Sequence, residues 1–221
     1  MSSTDLLLML LADARLPVAG HTQSGQLEPA VLDGLAAADV PLFLRARLAT
    51  VVAVEAGTAV VGLHRLRAGL PLPDVVDAWA ARTPSPAMRG ASRVQARAHL
   101  RLAERLWPDS PHVGAVRAQE GACRPLALAA AAAAAGLPAV GLARLVAYDD
   151  LQTVCAAALK LLPLDPAVAT GWVHDALPEA EEQAARASAL TDPEDIPAAA
   201  APRLDLWAQA HATTTRRLFR A

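Results

Sequence analysis

Apolar positions along this chain recur at the spacing of helix faces. Leu6, Leu7, Leu10 and Leu11 follow Thr4 and Asp5, which can cap a first turn, and Pro17 closes that run. Residues 17–25 are small, polar and non-periodic, the pattern of a loop, and they feed a short helix expected to begin near Gln26 or Leu27. Pro41 suits the first turn of a long helix to about Ala68, with Leu44, Leu48, Val51, Val52, Ala59 and Leu63 on its apolar side. Such a helix would measure about 40 Å, the height of a whole bundle.

Pro71 and Pro73 open a helix carrying Val75, Val76 and Trp79, and Thr83-Pro84-Ser85-Pro86 is a hard break. The next helix is expected from Ala87 to about Trp107, with Ala87, Ala91, Val94, Ala98 and Leu102 as its apolar side, ending at Pro108-Asp109-Ser110-Pro111. Another is expected over Pro125 to Ala135, stopped by Gly136-Leu137-Pro138, and a long one from Pro138 to about Leu162 is the expected centre of the fold. Asp165 can cap a helix with Pro166 in its first turn; the helical pattern runs through Gly171 to Ala176 and resumes after Pro178 over Glu179 to Leu190. From Thr191, prolines at 193, 197 and 202 and the run Ala198 to Ala201 read as a mobile linker before a last short helical segment ending in Arg216-Arg217-Leu218-Phe219. No strand alternation and no long repeat appears. The expectation is all-α: one irregular multi-helix bundle around a central long helix over residues 1–190, followed by a mobile tail over 191–221.

Composition supports this. Apolar residues make up 54% of the chain but aromatic ones only 3%, so the core is Ala, Leu and Val, which pack helices closely. A net charge of −2 excludes a global basic field for nucleic acid. Cys123 and Cys155 stand apart without a CxxC pair, which fits a reducing, cytoplasmic setting. The apolar start lacks a basic leader, and residues 126–146 are interrupted by Gly136, Pro138 and Gly141, so a buried helix pair is expected there and no membrane contact.

Candidate chemistry is sparse. The histidines, at 21, 64, 99, 112, 174 and 211, form no HxxH, HxH or HExxH, so no metal site is expected. Asp149-Asp150 resembles the acidic pairs that hold magnesium in some all-α enzymes, without a third acid one turn on. Phosphate-loop, nucleophile-elbow and dinucleotide motifs are absent. Arg89, Arg93, Arg97, Arg101 and Arg105 recur every fourth residue, a stripe that is either a solvated face or a contact surface. Glu28 falls at a helix start, where the dipole stabilises a carboxylate.

The blocks Leu10-Leu11-Ala12-Asp13-Ala14-Arg15-Leu16-Pro17-Val18 and Gly20-His21-Thr22-Gln23-Ser24-Gly25-Gln26-Leu27-Glu28 resemble the N-terminal signature of the urease accessory protein UreF family. Thr83 to Arg89, Ser92 to Arg97, Leu161 to Pro166, His211 and Arg217-Leu218-Phe219 extend the likeness over nearly the whole chain. Departures are His21 and Gln26, where many relatives have an aromatic residue and a second glycine, Ala96 in place of a glycine, and Asp165-Pro166 in place of Gly-Gln.

The resemblance implies a non-catalytic, homodimeric chaperone of nickel insertion. It would bridge the scaffold UreD (UreH in some systems) and the nickel-carrying GTPase UreG on apo-urease, leaving nickel and GTP to its partners. It points to Glu28, Arg89, Arg97, Arg216, Arg217, Leu218 and Phe219 as partner-binding residues and to Gly20, Ser24 and Gly25 as setters of loop geometry. Two rival readings are a helical nucleic-acid-binding regulator using the arginine stripe, and a magnesium-dependent isoprenoid-type enzyme using Asp149 and Asp150.

Overall fold

A computed structural model describes residues 3–18, 22–215 and 217–219, and among these every regular element is helical. The helices are α1 (Ser3–Leu11), α2 (Leu27–Leu32), α3 (Val40–Arg47), α4 (Ala53–Ala68), α5 (Pro73–Ala81), α6 (Pro86–Leu106), α7 (Pro111–Ala118), α8 (Arg124–Ala135), α9 (Ala139–Leu161), α10 (Pro166–Ala187) and α11 (Pro202–Thr213). A π-turn, Leu48–Val52, joins α3 to α4, so that Ala37–Ala68 is one helix of 32 residues. The wider π-turn is stabilised from outside: buried Gln183 of α10 donates its side-chain amide to the Leu48 carbonyl at 2.6 Å.

The middle of the bundle is shared. The long helix Ala37–Ala68 packs most heavily on α8 and α9, α9 on α10, and α6 on α8, so the central helix expected near 138–162 is one of a pair. From Leu126 to Ala132 every residue of α8 is buried, which is possible because most are alanine. Gly62 brings the helices close: a Cβ there would lie 2.5 Å from Leu126 Cδ2. Ala37–Ala68 is long and apolar enough to cross a membrane by composition, yet 67% of its most apolar stretch is buried inside the protein, the signature of a core helix. The suspect run 126–146 divides into α8 and α9 at Gly136, whose φ of 70° ends α8 while Leu137 N–H caps the Ala132 carbonyl at 2.9 Å.

Several boundaries differ from the sequence reading. Helix α1 stops at Leu11, well before Pro17, and leaves Leu6, Met9 and Leu10 exposed. Helix α7 was not expected; Ser110 caps it by accepting Val113 N–H with Pro111 in its first turn, the device that Ser85 and Pro86 use for α6. Pro178 does not break α10, because the carbonyl its ring orphans, that of His174, sits on the exposed side where water can serve it. Ser92, Ala96, Leu100 and Ala103 are buried along α6, while of the expected face Ala98 is buried, Ala87, Ala91 and Leu102 are half-buried and Val94 is exposed. Arg89 aside, the stripe faces outward as its charge requires.

The segment expected as a mobile tail lies on the bundle. Arg82 donates to the carbonyls of Ile196 at 2.7 Å and Glu194 at 2.9 Å, and Ile196 is buried. Helix α11 then packs on α6 and α2. Trp207 stacks near Phe43 at a centroid distance of 6.1 Å and donates its indole N–H to Asp33 at 2.9 Å. Arg203 joins the same carboxylate at 3.2 Å.

Candidate functional site

Two buried polar clusters hold the face formed by the first loop, α2, α6 and the tail. The first is centred on Glu28. Only 5% of this residue is exposed. Its Oε2 lies 2.8 Å from His211 Nε2 and accepts Phe219 N–H at 2.9 Å, while Oε1 accepts Leu218 N–H at 2.5 Å. Burial pushes the carboxyl up, but those backbone N–H groups and the His211 ring outweigh it and hold Glu28 below the ordinary glutamate value. The expected helix-dipole role is therefore joined by a long-range one, in which Glu28 acts as the acceptor for the end of the chain.

The second cluster fixes the first loop. Arg47 at the end of α3 donates to Asp150 Oδ2 at 2.9 Å and Oδ1 at 2.5 Å, to the Gly25 carbonyl at 2.8 Å and to Gln26 Oε1. Arg124 at the start of α8 pairs with Glu55 and with Asp149, the latter at 2.5 Å, and its backbone N–H reaches Ser92 Oγ at 3.0 Å. Burial opposes a charged guanidinium, yet Glu55, Asp149 and Asp150 overcome it and hold Arg124 more firmly protonated than usual. Burial pushes the Glu55 carboxyl up in spite of Arg124. His99, beside them, is driven down to about 4 by burial and then by Arg124, so its ring is neutral at physiological pH.

These contacts correct the magnesium reading. Asp149 and Asp150 point to different arginines, with both oxygens of Asp150 engaged by Arg47, so they do not converge on a cation. Among the described residues no group of three or more His, Cys, Asp or Glu is arranged to hold a metal ion. Burial raises the thiols of Cys123 and Cys155 to about 12 and about 11, values of inert core cysteines.

The loop residues carry strain that only this framework sustains. Gly25 has φ +56°, and a Cβ there would sit 2.8 Å from Val154 Cγ2, so glycine is required by both conformation and space. Ser24 is fully buried and its carbonyl accepts Leu27 N–H at 3.1 Å. Gln26 also adopts the left-handed conformation, φ 63°, which explains why a glycine would suit that position. The hydrogen bond from Arg47 to the Gln26 side chain offsets part of that strain.

The remaining candidate residues divide. Phe219 is buried, with Lys160 Nζ 5.1 Å from its ring centroid, and so anchors the tail to its own chain, whereas Leu218 is 62% exposed. Arg217 is exposed and donates to the His211 carbonyl at 3.3 Å. Arg89 donates to the carbonyls of Thr83 at 2.7 Å and Pro84 at 2.8 Å, tying the Pro-rich break to α6. Arg97 is exposed. Gly20, His21 and Arg216 lie outside the described residues. Arg47, Arg82 and Arg124 are contributions that no local pattern marks, since each acts on residues distant in sequence.

The UreF family model matches residues 27–177, about two-thirds of the chain. The chain belongs to the UreF family. Relatives named urease accessory protein UreF include those of Mycolicibacterium vanbaalenii, 38% identical over 218 residues, and of Mycobacterium tuberculosis, 36% identical over 223 residues, each alignment covering 96% of both chains. UreF is a family of non-catalytic accessory proteins, so this chain is not an enzyme. Within this UreF-family chain Glu28 ties the resembling block at 23–28 to His211, Leu218 and Phe219, Arg47 fixes the Gly25 carbonyl of that block to the core, Arg89 closes the block at 83–89 on itself, and Arg124 holds Ser92 to the start of α8.

Proposed function

We propose that this protein acts in urease maturation as a cytoplasmic, homodimeric chaperone that bridges the scaffold UreD/UreH and the nickel-carrying GTPase UreG on apo-urease. The observation that carries this reading is the UreF-family match along nearly the full chain. The joining of His211, Leu218 and Phe219 to Glu28 supports a contact surface there, with Leu218 and Arg217 exposed and the tail as a partner-binding element. In this reading nickel and GTP are handled by the partner complex. The chain's own contribution is binding energy that favours one conformation of the GTPase assembly over another.

Arg97 is a candidate partner contact; Arg89 and Phe219 serve first to shape the surface. The test is a deletion strain supplied with limiting nickel. Urease activity should fall and return on complementation, and the tagged protein should co-purify with UreD and UreG. Normal urease activation in the deletion strain would defeat the proposal.

A further inference from the structure

We propose that Gln183 is a positioning residue: by holding the π-turn Leu48–Val52 from α10, it aims Arg47 at the loop of residues 23–28 and so sets the shape of the candidate contact surface. Arg47 is the last residue of α3 and Glu55 lies in the first turn of α4, one on each side of the π-turn. Both line one cavity, beside Asp149 and Asp150. They also serve one buried charge cluster, Arg47 through Asp150 and Glu55 through Arg124.

That shared direction depends on the width of the turn. Glu55 stands eight positions after Arg47. In an uninterrupted α-helix eight steps of about 100° carry the second side chain about 80° past the first, onto a different face. A π-turn absorbs one extra residue, so the net rotation falls to that of seven steps, about 20° short of two full turns, and the two side chains share a face. With a regular turn in its place α3 would rotate by about 100° against α4, and Arg47 would swing away from Asp150 and the Gly25 carbonyl.

Two side chains hold the wide turn. Thr50 donates its hydroxyl to the Ala46 carbonyl at 2.6 Å, and Gln183 donates its amide to the Leu48 carbonyl at 2.6 Å from the neighbouring helix. Glutamine is a costly residue for that place. It is 6% exposed, with Ala180, Ala184 and Ala187 buried along the same helix, and its Oε1 has no hydrogen-bond partner among the described residues. An apolar side chain would bury there without stranding an oxygen, so what the glutamine adds is its donor. From Leu48 the effect passes to the adjoining Arg47, whose guanidinium takes the Gly25 carbonyl at 2.8 Å and the Gln26 side chain in the strained loop.

Amide exchange separates positioning from packing, because a packing role alone speeds exchange across the whole bundle. The Leu27 and Ala30 amides donate to the Ser24 and Gln26 carbonyls and report the loop. In Gln183→Met, which keeps the side chain's length without its donor, they should exchange about tenfold or more faster while those of α8 change far less. Deleting Thr50 removes the extra residue and lets a regular helix keep the same alignment, so Gln183→Met combined with that deletion should return both amides to within about threefold of the unaltered rate. Should Gln183→Met fail to fold, Gln183→Leu carries the same expectation, and folding restored by the deletion supports the proposal equally. Unchanged loop exchange in the folded single variant, uniform loosening of the bundle, or no rescue by the deletion would overturn it. That this loop meets a partner rests on the maturation reading, which binding of purified UreD and purified UreG tests separately. A loosened loop with unchanged affinity for both would overturn its part in the contact surface. An unaltered protein that binds neither would overturn the maturation reading, with loop exchange still deciding the role of Gln183.

Discussion

His211 Nε2 lies 2.8 Å from Glu28 Oε2, joining side chains 183 residues apart, and the same carboxylate receives the backbone N–H groups of Leu218 and Phe219. One buried acid thus organises both the last turn of α11 and the strand of chain that follows it. Substituting Glu28 by Ala would strand these donors, at about 1–3 kcal/mol for each one left buried and unpaired. We expect cleavage after residue 213 to become several-fold faster in limited proteolysis, with α8 and α9 unaffected.

The same site has a pH signature. Because the folded Glu28 value is lowered, its contribution is complete above the unfolded value of 4.5 and is lost as pH falls through the folded value. Amide protection of Leu218 and Phe219 should therefore weaken below about pH 4.5 in the unaltered protein. Glu28→Gln should show weaker protection already at neutral pH and little further change on acidification.

His99 gives an earlier acid response. Its value falls from 6.5 to about 4 on folding, so the unfolded chain takes up a proton first and stability drops between those limits as pH is lowered. The loss should reach roughly 2–3 kcal/mol. Urea denaturation of His99→Gln should show a flatter profile over that interval.

Arg47 and Asp150 form the most enclosed arginine–carboxylate pair among the described residues, with side chains only 4% and 10% exposed. Arg47→Met should destabilise the protein by about 3–5 kcal/mol, because Asp150 is left charged and unmatched, whereas R47M/D150L should recover much of the loss. Added magnesium should not raise the melting temperature of the unaltered protein, since Asp150 is already committed to Arg47.

Gly25→Ala should cost about 2 kcal/mol or more, from a positive φ and a contact with Val154 that leaves no room for a methyl group. Chemical denaturation measures the loss. A parallel fall in partner affinity would tie the loop's shape to the surface it supports.

Much of the fold was legible because proline, glycine and capping residues punctuate it. Ser85-Pro86, Asp165-Pro166 and Gly136 mark helix ends where the structure has them. Helix α7 carries the same Ser-Pro mark, but Pro108-Asp109-Ser110-Pro111 reads equally well as the stop of α6, and the helix is only eight residues long. Pro178 misled in the opposite direction, since solvent exposure relieves a break that the sequence alone cannot weigh. The site was only partly legible: Glu28, Gly25 and Phe219 lie in resembling blocks, but the fixing partners Arg47 and Arg124 sit in ordinary helical surroundings and meet their acids only through tertiary packing. Periodicity locates the buried residues of α6 only in part, because alanine suits either side: Ala98 is buried as expected, whereas Val94 is exposed and Ala96 is buried instead.

An alanine-lined helix is nearly smooth, and two such helices can slide or roll past each other at little expense in apolar contact. The guanidinium groups of Arg47 and Arg124 act as detents against that slippage: their hydrogen bonds to Asp150, Glu55 and Asp149 permit one axial and one rotational setting of Ala37–Ala68, α8 and α9. A core made of interchangeable small residues thereby acquires a single alignment.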